Sequence, residues 1–124
     1  MSSARFSQID PVPWPGGHGE MVAVLSLSPD ALASRYGIAF FDGSDNLDLY
    51  RAAAIRLESG RRLGLLRHRG SPATGAELYA GPDDDFLDAI REFLDCFGLT
   101  ADDLVWVRED VPLDHLRPAE SVEG

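Results

Sequence analysis

An amphipathic segment in the carboxy-terminal third of the chain constrains the fold most. Between positions 83 and 97, apolar side chains recur at spacings of one, three or four residues. They are Phe86, Leu87, Ile90, Phe93, Leu94 and Phe97. This spacing predicts an α-helix with one buried face, and Gly98 marks its end. Because such a helix needs a second layer to bury its apolar stripe, we expect it to pack on a sheet.

Short apolar runs elsewhere in the chain predict the strands of that sheet. They fall at 20–26, 38–41, 47–58, 61–69, 76–80 and 104–107. A second, shorter helix is predicted over 28–37, with Ser28 as its N-cap, Pro29 at its first position and Gly37 as its stop.

The two longest predicted strands flank a Ser-Gly turn at 59–60 and predict a hairpin. A three-residue loop would pair Ile55 with Leu65 and Leu57 with Leu63, which matches apolar faces. A two-residue loop would instead place Ile55 opposite a glycine. We therefore expect the three-residue loop.

Two helices beside strands that neighbour one another in sequence predict an α+β fold. We expect an antiparallel sheet of about five to six strands with a long central hairpin. One short and one long helix should pack on one face of that sheet. A parallel, doubly wound sheet is disfavoured because strands and helices do not alternate regularly.

The chain of 124 residues suits a single domain. The sequence predicts a Pro/Gly-rich amino-terminal arm over 1–19, the α+β domain over 20–110 and an acidic, fraying tail over 111–124. The arm is either ordered, with Trp14 holding it, or loose.

Cysteine and apolar content indicate the compartment. The single cysteine, Cys96, excludes an internal disulfide and any metal or iron–sulfur site built on several thiolates. The sequence contains neither a secretory signal pattern nor an apolar run that could cross a bilayer. We expect a cytoplasmic protein without a membrane partner. All 11 basic residues are arginine, a usage typical of GC-rich bacterial genomes.

The chain is acidic, with 21 Asp and Glu against 11 arginines and a net charge of −10. This charge disfavours nucleic acid as a partner. The last third is the most acidic, and its carboxylates predict a surface that binds a basic protein. The candidate residues are Asp84, Asp85, Asp88, Glu92, Asp95, Asp102 and Asp103. The alternative is that they only solubilise the protein and cap helices.

The central hairpin is rich in arginine by contrast. Arg56, Arg67, His68 and Arg69 form a candidate anion or ligand site, because a guanidinium binds phosphate or carboxylate in a bidentate manner. The alternative is solvated ion pairing with the acidic helix. Two large aromatic side chains, those of Trp14 and Trp106, are candidate anchors for a partner if exposed, and otherwise cap the core.

No catalytic motif is present in the sequence. His18, His68 and His115 lack the spacing of metal ligands, and Cys96 lies at the edge of the apolar stripe, so we expect no metal, cofactor or nucleophile. The sequence favours a binding protein over an enzyme.

The best expectation is a small acidic protein-binding domain, of the immunity or antitoxin type, that occludes a basic partner. Two alternatives remain. One is a self-associating or accessory subunit that uses a sheet edge or the arginine-rich hairpin. The other is a small-molecule-binding domain with a pocket under the hairpin, near Ala52, Ala54 and Gly64, with Arg56 and His68 as polar groups.

Overall fold

A computed structural model of the chain describes residues 6–10, 19–44, 49–70 and 75–112. Within these ranges the chain forms one sheet, two α-helices and one short 3-10 helix (Ala101–Asp103). The strands are β1 (Phe6–Ile9), β2 (Glu20–Leu25), β3 (Phe41–Ser44), β4 (Leu49–Leu57), β5 (Arg62–His68), β6 (Glu77–Ala80) and β7 (Leu104–Val107). The helices are α1 (Pro29–Tyr36) and α2 (Phe86–Phe97).

The strand order is β1-β4-β5-β6-β2-β7, with β3 also paired to β4. Every pair is antiparallel. The predicted α+β class and the long central hairpin are therefore confirmed. The described part of the chain has seven strands, one more than the sequence predicts. The additional strand is β1, which lies within the segment 1–19 that the sequence assigns to the arm.

The strands β1 and β3 lie end to end along the same edge of β4. The first pairs with 54–57 and the second with 49–52. The strand predicted over 38–41 instead begins at Phe41. The Gln8 side-chain amide explains the shift, because its oxygen accepts from Ala39 N at 2.9 Å and its nitrogen donates to Ala39 O. These side-chain bonds satisfy the backbone polar groups that a strand partner would otherwise satisfy.

The β4–β5 register differs from the predicted one. Ile55 pairs with Leu63, and Leu57 N donates to Arg61 O at 2.8 Å, which closes a loop over 58–60. The loop has the expected three residues but lies one position earlier. Gly60 decides this placement, because its φ of 99° lies in the region that favours glycine. A shift of two residues in register keeps the same side chains on each face, so the apolar pattern alone could not distinguish the two pairings.

Three of the four helix ends lie where the sequence predicts them. Ser28 Oγ accepts from Ala31 N at 3.1 Å, and Gly37 ends α1 in the left-handed conformation. Asp85 Oδ1 accepts from Asp88 N at 3.1 Å as the N-cap of α2, and Gly98 ends that helix. The longer helix therefore starts three residues later than expected. Neither described helix is long and apolar enough to span a membrane.

The helices cover one face of the sheet and form a single core with it. Phe93, Ile90 and Leu32 are fully buried in this core, beside Ile55 and Leu63 of the hairpin. The Phe97 ring contributes to its rim and stacks on Phe6 of β1, with centroids 4.8 Å apart. Alternate residues of each strand point to the opposite side, which we call the second face.

Candidate functional site

Four predicted acidic residues form a stripe along α2. Asp85 precedes its first turn, and Asp88, Glu92 and Asp95 follow at spacings of three or four residues. Side chains at these spacings lie above one another on one side of a helix. The opposite side carries the buried residues of the core, so this acidic stripe (Asp85, Asp88, Glu92, Asp95) faces outward.

Several acidic side chains also have structural roles. Asp84 Oδ2 accepts from Gly81 N at 2.9 Å, and its other oxygen lies 3.1 Å from Arg61. Beyond the helix, Asp103 Oδ2 accepts from Thr100 N at 2.9 Å and completes a capping box. Capping of helices and turns, which the sequence analysis gave as the alternative role of the acidic residues, therefore explains Asp84 and Asp103. The exposed members are Asp85, Asp88, Asp95 and Asp102.

Arg61 holds the middle of the stripe through Glu92. Its Nε lies 2.7 Å from Glu92 Oε1, and both side chains are partly buried. Partial burial acts to raise the pKa of Glu92, but hydrogen bonds from Ser59 and Arg61 and the positive charge of Arg61 outweigh it. The pKa of Glu92 is therefore below its ordinary value, and this member of the stripe stays ionised in mild acid.

The predicted anion site divides into separate places. Arg56 is paired with Arg62 beside the hairpin loop. Arg67 lies five residues further along β5, which corresponds to about 17 Å of strand. His68 is next to Arg67 in sequence and therefore points to the other side of the sheet. The structure brings together only Arg67 and Arg69 of the four predicted residues.

These two arginines line a cleft of about 330 Å³ at the end of β3, β4 and β5. We call it the arginine cleft. Its lining residues are Asp42, Gly43, Leu49, Tyr50, Arg51, Arg67 and Arg69. Sequence reasoning missed Arg51, because only the observed register places it directly opposite Arg67.

His68 belongs to a polar group on the second face. Its Nδ1 lies 3.6 Å from Glu77 Oε1, and its ring meets the Tyr50 ring edge-on. The Tyr79 hydroxyl donates to the same Glu77 oxygen at 2.9 Å. Glu77 is only 7% exposed. His68 therefore contacts a buried carboxylate and does not share a pocket with Arg56, as the sequence had predicted. The sequence also predicted that Ala54 and Gly64 leave space for such a pocket, but both residues are buried.

A row of directly paired residues crosses the second face and ends in an exposed aromatic side chain on each side. From β3 to β7 it comprises Phe41, Ala52, Leu66, Glu77, Val24 and Trp106. Phe41 is 50% and Trp106 43% exposed. Trp106 therefore does not cap the core, and it lies on the side of the sheet opposite α2. Trp14, the other candidate anchor, lies outside the described residues.

Cys96 and the three histidines are the residues that the sequence analysis weighed for thiol and metal chemistry. Cys96 is a free, buried thiol beside the core. No three His, Cys, Asp or Glu side chains among the described residues gather into a metal site. His18 and His115 lie outside those ranges.

Comparisons with models of protein families, with curated proteins and with solved structures find no significant match to this chain.

Proposed function

We propose that this chain is a protein-binding domain that occludes a basic partner, as an inhibitor of the immunity or antitoxin type does. The observation that carries the proposal is the acidic stripe of α2. Its four carboxylates share the outward side of a helix whose other side is fixed in the core. A preformed row of charges loses little conformational entropy on binding, which favours affinity and fast association.

The members of the stripe contribute in different ways. Asp88 and Asp95 are exposed and can reach a partner's arginine or lysine side chains. Asp85 and Glu92 are held by contacts within the protein and add to the field. Ten residues of helix separate the first and last carboxylates, which corresponds to about 15 Å. Together with the net charge of −10, this favours the approach of a basic protein surface.

The test removes two exposed charges of the stripe. Protein carrying Asp88→Asn and Asp95→Asn is compared with wild type for capture of basic proteins from the native host at low and high salt. The matched control carries Asp30→Asn and Glu109→Gln, which remove two exposed charges elsewhere. We expect a basic protein, recovered in near-equal stoichiometry by wild type and control, to be lost by the stripe variant. Equal recovery by all three would contradict the proposal.

A second candidate function, self-association as a subunit, rests on the β7 edge of the sheet. β7 is last in the strand order, and no described strand pairs with its outer edge. Val105 is 62% exposed there, next to Trp106. Exposed edges with apolar side chains accept a further strand. Sedimentation equilibrium at micromolar concentration distinguishes the two functions. A dimer that is abolished by Val105→Lys would support self-association through the β7 edge. A monomeric wild-type protein would contradict it.

The cytoplasm suits either function. A single buried cysteine needs no oxidising compartment, which supports this part of the proposal.

A further inference from the structure

We propose that the second face of the sheet docks an amphipathic α-helix of a partner protein, and that carboxylates of this helix bind Arg56 and Arg62. The inference goes beyond the proposed function and is independent of it, because α2 and its acidic stripe lie on the other face of the sheet. One chain can therefore hold two partners, a basic one on α2 and an acidic helix on the second face.

The second face exposes apolar side chains, whereas both α-helices pack on the other face. Phe41 and Trp106 are the most exposed of these side chains. Ile9, Leu66 and Tyr79 of the same face are partly exposed. Sheets bury an apolar face against another layer, and exposed apolar surface of this kind marks sites of interaction with other molecules.

Small residues give the second face a shallow groove along β4. Ala52 and Ala54 form its floor, and Gly64 of β5 lies directly beside Ala54. Larger side chains flank this floor, with Ile9 and Phe41 on one side and Leu66 and Tyr79 on the other. The distance at which a helix packs depends on the side chains at the contact, so a floor of small residues admits a helix closely.

A helix is the element that suits this groove. Its backbone N–H and C=O groups are bonded within the helix, so it can lie on an apolar surface without losing hydrogen bonds. An extended segment instead needs a sheet edge for its backbone, and β4 and β5 lie inside the sheet. The four residues from Ala52 to Arg56 correspond to about 14 Å of strand, which about nine residues of helix would cover.

Two arginines at one end of the groove determine the charge of the partner. Arg56 and Arg62 are direct partners across β4 and β5, and both are exposed. Neither has an ion pair with any residue that the structure describes, whereas Arg61 contacts two carboxylates. Like charges directly opposite one another destabilise a sheet. Carboxylates of a docked helix would relieve this repulsion, which makes an acidic end of that helix complementary to the groove.

Another protein, and not a second copy of this chain, supplies the helix that we propose. The only α-helices among the described residues are α1 and α2. Both place their apolar residues in the core, so neither offers an apolar side to the second face of another copy.

The test places a photoreactive phenylalanine analogue at position 41, on the side of the groove, and irradiates the whole chain in its native host. We expect an adduct with another protein, within a segment that has apolar residues at helical spacing and carboxylates at one end. Arg56→Glu with Arg62→Glu should lower the yield of this adduct at least about fivefold. The matched control, Arg35→Glu with Arg91→Glu, reverses two exposed arginines of the helices and should leave the yield unchanged.

A synthetic peptide of the identified segment then gives the affinity. We expect wild type to bind it at least about tenfold more tightly than the variant with Arg56→Glu and Arg62→Glu does. Asp88→Asn with Asp95→Asn should not weaken this binding, even if the same two changes abolish capture of a basic protein. The two proposals can therefore fail separately.

Three results would overturn the proposal. The first is the absence of an adduct with another protein, including an adduct formed only with this chain. The second is an adduct in a segment without carboxylates or without apolar residues at helical spacing. The third is a yield that the reversal of Arg56 and Arg62 leaves unchanged. If the double reversal fails to fold, Arg62→Gln serves alone, because Arg62 is exposed at the start of β5.

Discussion

Arg61 Nε lies 2.7 Å from Glu92 Oε1, so the residue that closes the β4–β5 loop also holds the outer side of α2. The backbone oxygen of Arg61 accepts from Leu57 N at 2.8 Å and completes the hairpin. Its side chain contacts Asp84 as well, just before the helix begins. One arginine therefore connects the hairpin turn, the start of α2 and the middle of the acidic stripe.

We expect Glu92→Gln to lower the free energy of unfolding at neutral pH by about 1 kcal/mol, because it weakens a partly buried, charge-assisted bond. The pKa of Glu92 is lower in the folded state than the ordinary value of 4.5. The stabilisation is therefore present above pH 4.5 and is lost as the pH falls through the lower folded pKa. Urea unfolding of wild type and variant across this acidic range measures the effect. Asp88→Asn, an exposed change on the same helix, is the control; a variant whose pH dependence equals that of wild type would contradict the assignment.

Gly75→Ala should destabilise the fold far more than an ordinary surface change. A Cβ atom there would lie 1.6 Å from the backbone oxygen of Leu25, at the point where β2 meets the start of β6. Because backbone rather than a flexible side chain blocks the space, we expect a loss of more than about 3 kcal/mol.

Gly37→Ala provides the comparison for this prediction. No atom lies within 4 Å of its built Cβ, and only its φ of 75° opposes the change. We expect a cost of about 1–2 kcal/mol there. Thermal unfolding of the two variants measures both losses of stability. Equal losses would show that the close approach of Leu25 to Gly75 does not constrain this position.

Substitutions of Glu77 should show whether stability on the second face depends on its hydrogen bond or on its negative charge. Glu77→Gln keeps an oxygen that can accept from the Tyr79 hydroxyl, whereas Glu77→Ala removes it and leaves a space. We expect the alanine variant to lose about 1–3 kcal/mol and the glutamine variant less than about 1 kcal/mol. Chemical denaturation measures both losses. A loss in the glutamine variant as large as in the alanine variant would mean that the charge itself matters.

Local patterns predicted the helices better than the pairing of the strands. Ser28, Gly37 and Gly98 act at the helix ends as their residue types predict, because caps depend on neighbouring backbone atoms alone. The hairpin register depended on which loop residue takes a positive φ, and the strand near Phe41 depended on a bond from Gln8, which is 31 residues from Ala39. A contact between residues so far apart in sequence, as between Gln8 and Ala39, has no signature in a local pattern.

The candidate sites divide in the same way. The acidic stripe was visible in the sequence because helical spacing alone places Asp88, Glu92 and Asp95 on one side. The arginine cleft was only half visible, since Arg51 joins Arg67 through strand pairing. Trp106 was named as an anchor, but its position on the face opposite α2 follows from its pairing with Val24 of β2. Residues distant in sequence become a site only through topology.

If the acidic stripe is the binding surface, the association rate of the chain with the basic protein that it captures depends on ionic strength. Between ionic strengths of about 0.01 and 1 M the Debye length falls from about 30 to about 3 Å. We predict that the rate constant falls at least about tenfold over this range, and that Asp88→Asn with Asp95→Asn flattens the dependence. A rate that depends neither on salt nor on these two carboxylates would contradict the acidic stripe as the binding surface.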